Sequence, residues 1–209
     1  MKRIAITAAV LLAGHAGPSW AQGASAQVQQ LLKGASNPAD FADVSAGGVV
    51  SLKHKASGVV CTFDGDPQGA SLHSGPTGVM CNSATPYELD ALEVFLEPNS
   101  TDADAEAAIP RALGSVQDPR PVTGFDNLKS DRPGAPPHTA RRYVGILRGA
   151  QQVYARVAWA QVGDWFIFQR VIAGLDGAKA ADAEAEKKLL AAIDQAMDNK
   201  PPGKTLKGR

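Results

Sequence analysis

Residues 139–173, TARRYVGILRGAQQVYARVAWAQVGDWFIFQRVIAG, decide the fold. The stretch is rich in β-branched and aromatic residues and is cut twice by turn chemistry, at Gly149-Ala150 and at Gly163-Asp164. Such residues suit a pleated, half-buried surface, so the spacing predicts three consecutive antiparallel strands, a meander. A first hairpin closing at Gly149-Ala150 and a second turn of about three residues would sort the side chains into two sets. One face collects Val144, Ile146, Val153, Ala155, Val157, Trp159, Ile167 and Val171. The other collects Tyr143, Leu147, Tyr154, Phe166, Phe168 and Ile172, with Arg156 and Arg170 among them. A sheet with one wet face alternates apolar and polar residues. Here both faces are apolar, which predicts that both are covered, with helices on at least one side. A slip of one residue would invert a strand's faces.

The fold class expected from this centre outward is α+β, an antiparallel sheet with a C-terminal three-strand meander flanked by helices in an α/β/α sandwich. Asp176-Gly177 opens a helix over 178–198, with an apolar stripe of Ala185, Leu189, Ala192, Ile193 and Ala196. Upstream, Thr101-Asp102-Ala103-Asp104 is a capping-box pattern ahead of Ala105, Ile109, Ala112, Leu113 and Val116 at helical spacing. Pro110 is expected to kink or end that helix. Residues 117–138 hold Pro119, Pro121, Pro133, Pro136 and Pro137 and read as a long loop, a flap contributing little to the core.

Further upstream, 49–54 and 58–63 read as a hairpin turning at Lys55-Ala56-Ser57, and 79–82 as the next strand. Residues 64–78 are nearly all turn formers. ELDALEVFLE reads as a strand over at least 91–97, with a helix over 86–93 as the competitor. Short helices are expected at 25–33 and, capped by Asn37 with Pro38 at its first position, at 39–44.

Residues 1–21 carry the signature of a cleaved signal peptide. Lys2 and Arg3 precede an apolar run too short to span a bilayer, and Ser19-Trp20-Ala21 gives small residues at the cleavage-reading positions. No Cys follows, so a lipoprotein anchor is not expected. The organisation is then 1–21 signal peptide, 22–198 a single α+β domain and 199–209 a basic tail. The expected location is periplasmic or secreted, without stable membrane insertion. In an oxidising compartment the only two cysteines, Cys61 and Cys81, are expected to pair across neighbouring strands. The near-neutral charge offers no patch for nucleic acid.

Motifs for catalysis are sparse. No G-x-S-x-G elbow, C-x-x-C pair or phosphate-cradling glycine loop occurs, and no cofactor is implied. His54, His73 and His138 lack metal-ligand spacing, so no metal site is expected. The candidate binding residues are Arg156, Arg170, Tyr143 and Tyr154, expected on one sheet face. Two facing cations need compensation. That comes either from acids of a covering helix, such as Glu184 or Glu186, or from a small anionic ligand gripped by the guanidiniums.

The run VFLEP, the helix AEAAIPRAL and the meander ending in FQRVIAG, taken in this element order, resemble the PsbP-like superfamily, including DcrB-like envelope proteins. The similarity covers roughly 47–198 and carries no diagnostic motif. The resemblance implies an antiparallel sheet between helices and a mainly non-enzymatic accessory or binding role; the expected partner is an unknown envelope protein or a small anionic ligand. It transfers no functional residue. The expected function is thus a non-catalytic periplasmic accessory or binding protein. The alternative is a periplasmic hydrolase using His138 and an acid under the 117–138 loop.

Overall fold

The computed structural model describes residues 19–64, 69–75, 78–83, 87–93, 102–147 and 151–199, and among these it has ten strands and three α-helices. The class is α+β. Strands β1 (Phe41–Asp43), β2 (Val50–His54) and β3 (Val60–Phe63) form a small sheet in that order. A seven-stranded sheet runs β4 (Ser71–Gly75), β5 (Gly78–Asn82), β6 (Tyr87–Glu93), β10 (Trp165–Gly174), β9 (Gln151–Val162), β8 (Thr139–Leu147), β7 (Gln117–Pro121), antiparallel throughout. The expected meander is its β8–β9–β10 portion.

Both hairpin lengths differ from expectation, in opposite senses. Leu147 pairs with Gln151, leaving three residues between them, while Val162 pairs with Trp165 across only Gly163 and Asp164. The Gly-Asp pair forms the tight turn, with Gly163 at φ +59° where an L side chain would be strained. Together these shifts turn β9 over relative to both neighbours. Tyr154, Arg156, Ala158 and Ala160 therefore share a face with Val144, Ile167 and Val171. Val153, Ala155, Val157 and Trp159 share the other with Tyr143, Phe166, Phe168 and Arg170.

Each face has its own cover. Helix α2 (Asp102–Leu113) lays Ala105, Ile109 and Leu113 on Val153, Ala155, Val157 and Trp159. It runs through Pro110 rather than ending there. Burial of Ile109 and Leu113, about 1.5–3 kcal/mol for each side chain, offsets the roughly 3 kcal/mol cost of an interior proline. Helix α3 (Ala178–Asp198), with the bounds the sequence predicts, covers the opposite face. Leu189, Ala192, Ile193 and Ala196 join Ala158, Ala160 and Ile167 in a core that takes in the small sheet and helix α1 (Ser19–Leu32). Among the described residues no helix is long and apolar enough to cross a membrane.

Other expectations need correction. Residues 71–75 form β4 inside the stretch read as turn, because its Leu72, 1 % exposed, has a core to enter. Residues 87–93 are strand, not helix; they ladder onto both β5 and β10. Residues 94–97 of that prediction lie outside the described residues, as do 1–18 of the leader segment and 200–209 of the tail. Helix α1 starts at Ser19, ahead of the expected residue 25. Asn37 caps a single turn at Pro38–Asp40, its side chain accepting from Ala39 N, and the chain then enters β1. Residues 117–121 are an edge strand, the place where Pro119 and Pro121 cost no ladder bond.

Candidate functional site

The inverted β9 removes the expected constellation. Arg156 and Tyr154 face α3, whereas Arg170 and Tyr143 face α2. Arg170 donates to the Ala112 carbonyl at the end of α2, 3.3 Å away. No anion can be held between Arg156 and Arg170 with a sheet separating them.

The cation that does stand opposite Arg156 is Arg142, its direct cross-strand partner on β8. Both side chains are buried. Two like charges so placed would destabilise the sheet unless opposed. Asp182 and Glu186, one helical turn apart on the buried stripe of α3, oppose them. Arg142 donates from Nε to Asp182 Oδ1 at 2.8 Å and from Nη2 to Glu186 Oε1 at 2.7 Å. Arg156 Nη2 lies 2.9 Å from that same Glu186 oxygen and its Nε 3.4 Å from Asp182 Oδ1, at ion-pair distance but without hydrogen-bond alignment. Two guanidiniums thus meet two carboxylates.

A shell of neutral groups completes the cluster. Gln169 on β10 accepts from Arg156 Nη1 and donates to the Ala185 carbonyl, 3.1 Å away. The Tyr154 hydroxyl donates to Asp182. Burial and the Asp182 charge push the Tyr154 phenol well above its ordinary range. His138 Nε2 sits 2.9 Å from Glu186 Oε2, again off the line of a hydrogen bond. Burial alone would raise the Glu186 carboxyl; His138 and Arg156 outweigh it and hold the group below its usual value. Burial likewise lowers the Arg142 guanidinium, but Asp182 first and then Tyr154 and Glu186 overcome it and raise it.

The segment 122–138 closes the cluster from outside, and the expected flap is in fact a strap tied along α3. Asn127 Oδ1 accepts from Arg142 at 2.8 Å, and the Phe125 ring stacks 5.2 Å from Tyr154 and 5.6 Å from the Arg142 guanidinium. Further along, Ser130 donates to Asp194 at 3.1 Å, and Arg132 reaches the Asp194 carbonyl at 2.8 Å and Asp198 at 2.6 Å.

The cluster is balanced in charge, although Arg156 Nε and Nη2, His138 Nε2 and Glu186 Oε2 meet their partners only at ion-pair distance. His138 and a carboxylate do converge under the strap, but among the described residues no hydroxyl or thiol nucleophile hydrogen-bonds to either. Among the described residues no group of three or more His, Cys, Asp or Glu side chains is placed to hold a metal ion. Arg142, Asp182 and Asn127 were not among the residues singled out from sequence, whereas His138 beneath the 117–138 segment was, together with an unspecified acid that the structure places at Glu186. A signal was present: Asp182 and Glu186 interrupt an otherwise apolar helical stripe at i, i+4 spacing.

Cys61 on β3 and Cys81 on β5 lie at disulfide distance, Cα atoms 5.7 Å apart. They belong to different sheets, so the pair ties sheet to sheet rather than linking laddered neighbours as expected. Beside it a cleft of about 140 Å³ runs along β3 against α3, lined by Thr62, Cys61, Cys81, Gln169, Lys188 and Gln195 among others. Gln169 is therefore shared between the cleft wall and the charge cluster.

No family model matches the chain, and no curated protein matches it.

Proposed function

We propose that this chain is an exported, non-catalytic accessory or binding protein of the cell envelope, periplasmic or secreted, on a PsbP-like plan. One observation carries the non-catalytic part. Among the described residues, the one constellation of ionisable groups that gathers a histidine, carboxylates and arginines spends them on one another, with side chains at most 7 % exposed. An active site needs a group left over for substrate; here two arginines match two carboxylates and the phenol is held neutral. The leader-like segment and the cysteine pair support export. The PsbP-like reading rests on element order alone.

The hydrolase alternative has one specific support, the convergence of His138 and Glu186 under the strap. Both readings are tested by expressing the full chain, fractionating by osmotic shock, and assaying the purified protein on ester, phosphoester, peptide and glycoside substrates beside H138A. Recovery in the shock fluid with turnover equal in both proteins is expected. Turnover abolished by H138A would establish the hydrolase, and retention in the cytosol would sink the envelope role.

A further inference from the structure

The hydrogen-bond alternation of the small sheet turns one edge of β3 away from β2. His54 N donates to Val59 O at 2.9 Å, which fixes Leu52–Cys61 and Val50–Phe63 as the pairs that exchange bonds. Ser51 and Lys55 turn instead toward the β1 side, accepting from Val44 N at 2.9 Å and donating to Asp40 O at 2.8 Å. It follows that Val60 and Thr62 aim their N–H and C=O groups away from β2, outward from the sheet. The Val60 N–H is taken by Gln195 Oε1 at 2.9 Å, a side-chain amide standing where the carbonyl of a further strand would be. The outward groups of Thr62 have no partner among the described residues. They face the cleft beside α3, whose wall also carries Lys188.

We propose that this open edge of β3 receives an extended peptide segment as an added strand, with Lys188 taking that segment's carboxylate. The inference rests on the binding-module reading and names the partner class. A groove between an exposed strand edge and a helix is the geometry in which an extended peptide gains main-chain bonds from the strand and seats a side chain against the helix. Unpaired edges are ordinarily blunted by charge, proline or cover; here Gln195 caps only Val60, and α3 with Lys188 forms the opposite wall of the groove. The cleft floor, with Ala191, Ala192 and the cysteine pair, suits one apolar side chain. Charge selects the rest. Lys188 is bound 3.2 Å from Asp64, and both side chains are partly exposed at 28 % and 37 %. Such a pair is weak and exchanges readily for another carboxylate. Because Gln195 closes the Val60 end, pairing runs from Thr62 toward Asp64 and is short, so the peptide binds through few bonds and dissociates quickly.

The test is ¹⁵N-resolved NMR of the full chain titrated with acetyl-Val-Thr-Val-Thr-Val bearing a free carboxylate. Parallel titrations use its C-terminal amide and a backbone N-methylated version. Saturable shifts of the Thr62 amide and the Gln195 side-chain amide are expected. Amidation of the peptide, or Lys188→Gln in the protein, should weaken binding about tenfold, the scale of one charge-assisted hydrogen bond. N-methylation should abolish it. Thr62→Pro gives a second check: it removes only an outward N–H, which a strand edge tolerates, and should abolish binding with the circular dichroism spectrum unchanged. Shifts that fail to saturate by about 1 mM, a concentration that would detect even a very weak complex, overturn the proposal. So do shifts indifferent to both amidation and N-methylation. Thr62 shifts that track protein concentration without peptide overturn it in favour of a second copy of the chain at this edge. Absence of peptide shifts without any turnover sinks only this inference; turnover dependent on His138 sinks the binding-module reading itself.

Discussion

Glu186→Gln isolates the term that holds the sheet to α3. The wild-type carboxylate takes Arg142 on Oε1 at 2.7 Å and Arg156 on the same oxygen at 2.9 Å, and faces His138 with Oε2. Its side chain is 1 % exposed and that of Arg156 is fully buried. Unit charges about 4 Å apart interact by about 4 kcal/mol at an effective dielectric of 20, which sets the scale for each guanidinium–carboxylate pair. Desolvation of the ions and repulsion between the arginines cancel a large part of that, so the pairs add little to stability over an apolar core. Removing one carboxylate is different. The two guanidiniums would then share Asp182 alone, and an uncompensated buried charge costs about 3–5 kcal/mol. The amide keeps the size and one acceptor of the carboxylate, so the loss reports charge rather than packing.

The assay is equilibrium unfolding in urea. With a denaturant slope of about 2 kcal/mol/M, the midpoint should fall by about 2 M. Glu184→Gln, exposed on the same helix, is the control and should change stability by less than about 0.5 kcal/mol. Adding Arg156→Met to Glu186→Gln should recover much of the loss by removing the stranded cation. A Glu186→Gln cost below about 1 kcal/mol would refute the reasoning, because water or a ligand would then have to be neutralising the arginines.

The remaining predictions bear on other parts of the fold. Thiol titration of denatured, unreduced protein should find no free thiol; reduction should lower the unfolding midpoint by an amount near the ~3 kcal/mol expected for closing a loop spanning the 20-residue separation, and two free thiols per chain would refute the bridge. Gly58→Ala should cost more than about 2 kcal/mol, since φ is +81° and a Cβ would stand 2.3 Å from Asn199 Cβ and 2.6 Å from Gln195 O; a neutral result would mean the 55–58 turn does not dock on the end of α3. Arg132→Ala should open the strap to limited proteolysis before the global fold is lost, and cleavage rates equal to wild type would place the anchoring elsewhere. His54, buried between Phe41 and Trp165, has its ionisation lowered by burial despite Asp40. Below the unfolded-state value near 6.5 the unfolded chain therefore binds the extra proton, so stability falls as pH drops through that point until the folded-state value is reached. His54→Gln should flatten this limb of the pH–stability curve, and an unchanged limb would assign it to another group.

Much of the fold is legible in local chemistry. The β-branched and aromatic runs mark β8, β9 and β10, and the apolar stripe after Asp176-Gly177 marks α3. What is not legible depends on distant partners. SLHSG becomes β4 because β5 is there to pair it and a core to receive Leu72. The 117–121 segment becomes a strand despite two prolines because it lies at the edge, where a missing N–H is no loss. The strap composition, rich in turn formers, says nothing of Asn127 reaching a buried arginine or of the segment being tied along α3.

The site itself turned on one residue in each hairpin. Errors of one in both turns, opposite in sense, leave β8 and β10 in phase with each other and invert β9 alone. That is why the predicted faces of the outer strands survive while Arg156 exchanges Arg170 for Arg142. Charge could have decided the register where turn length did not. A buried arginine in the middle strand must face a helix that supplies an acid. The buried residues of α2, Ala105, Ile109 and Leu113, are apolar, and the acids it turns to this face lie at its margins: Asp102 accepts from the Trp159 indole N–H at 2.8 Å, and the half-exposed Glu106 pairs with Arg141. The stripe of α3 contains Asp182 and Glu186. With two helices available to cover two faces, Arg156 can be buried at a bearable cost only against α3, and that single assignment sets the parity of β9, brings Arg142 across from it by the ladder, and places Arg170 on the far side.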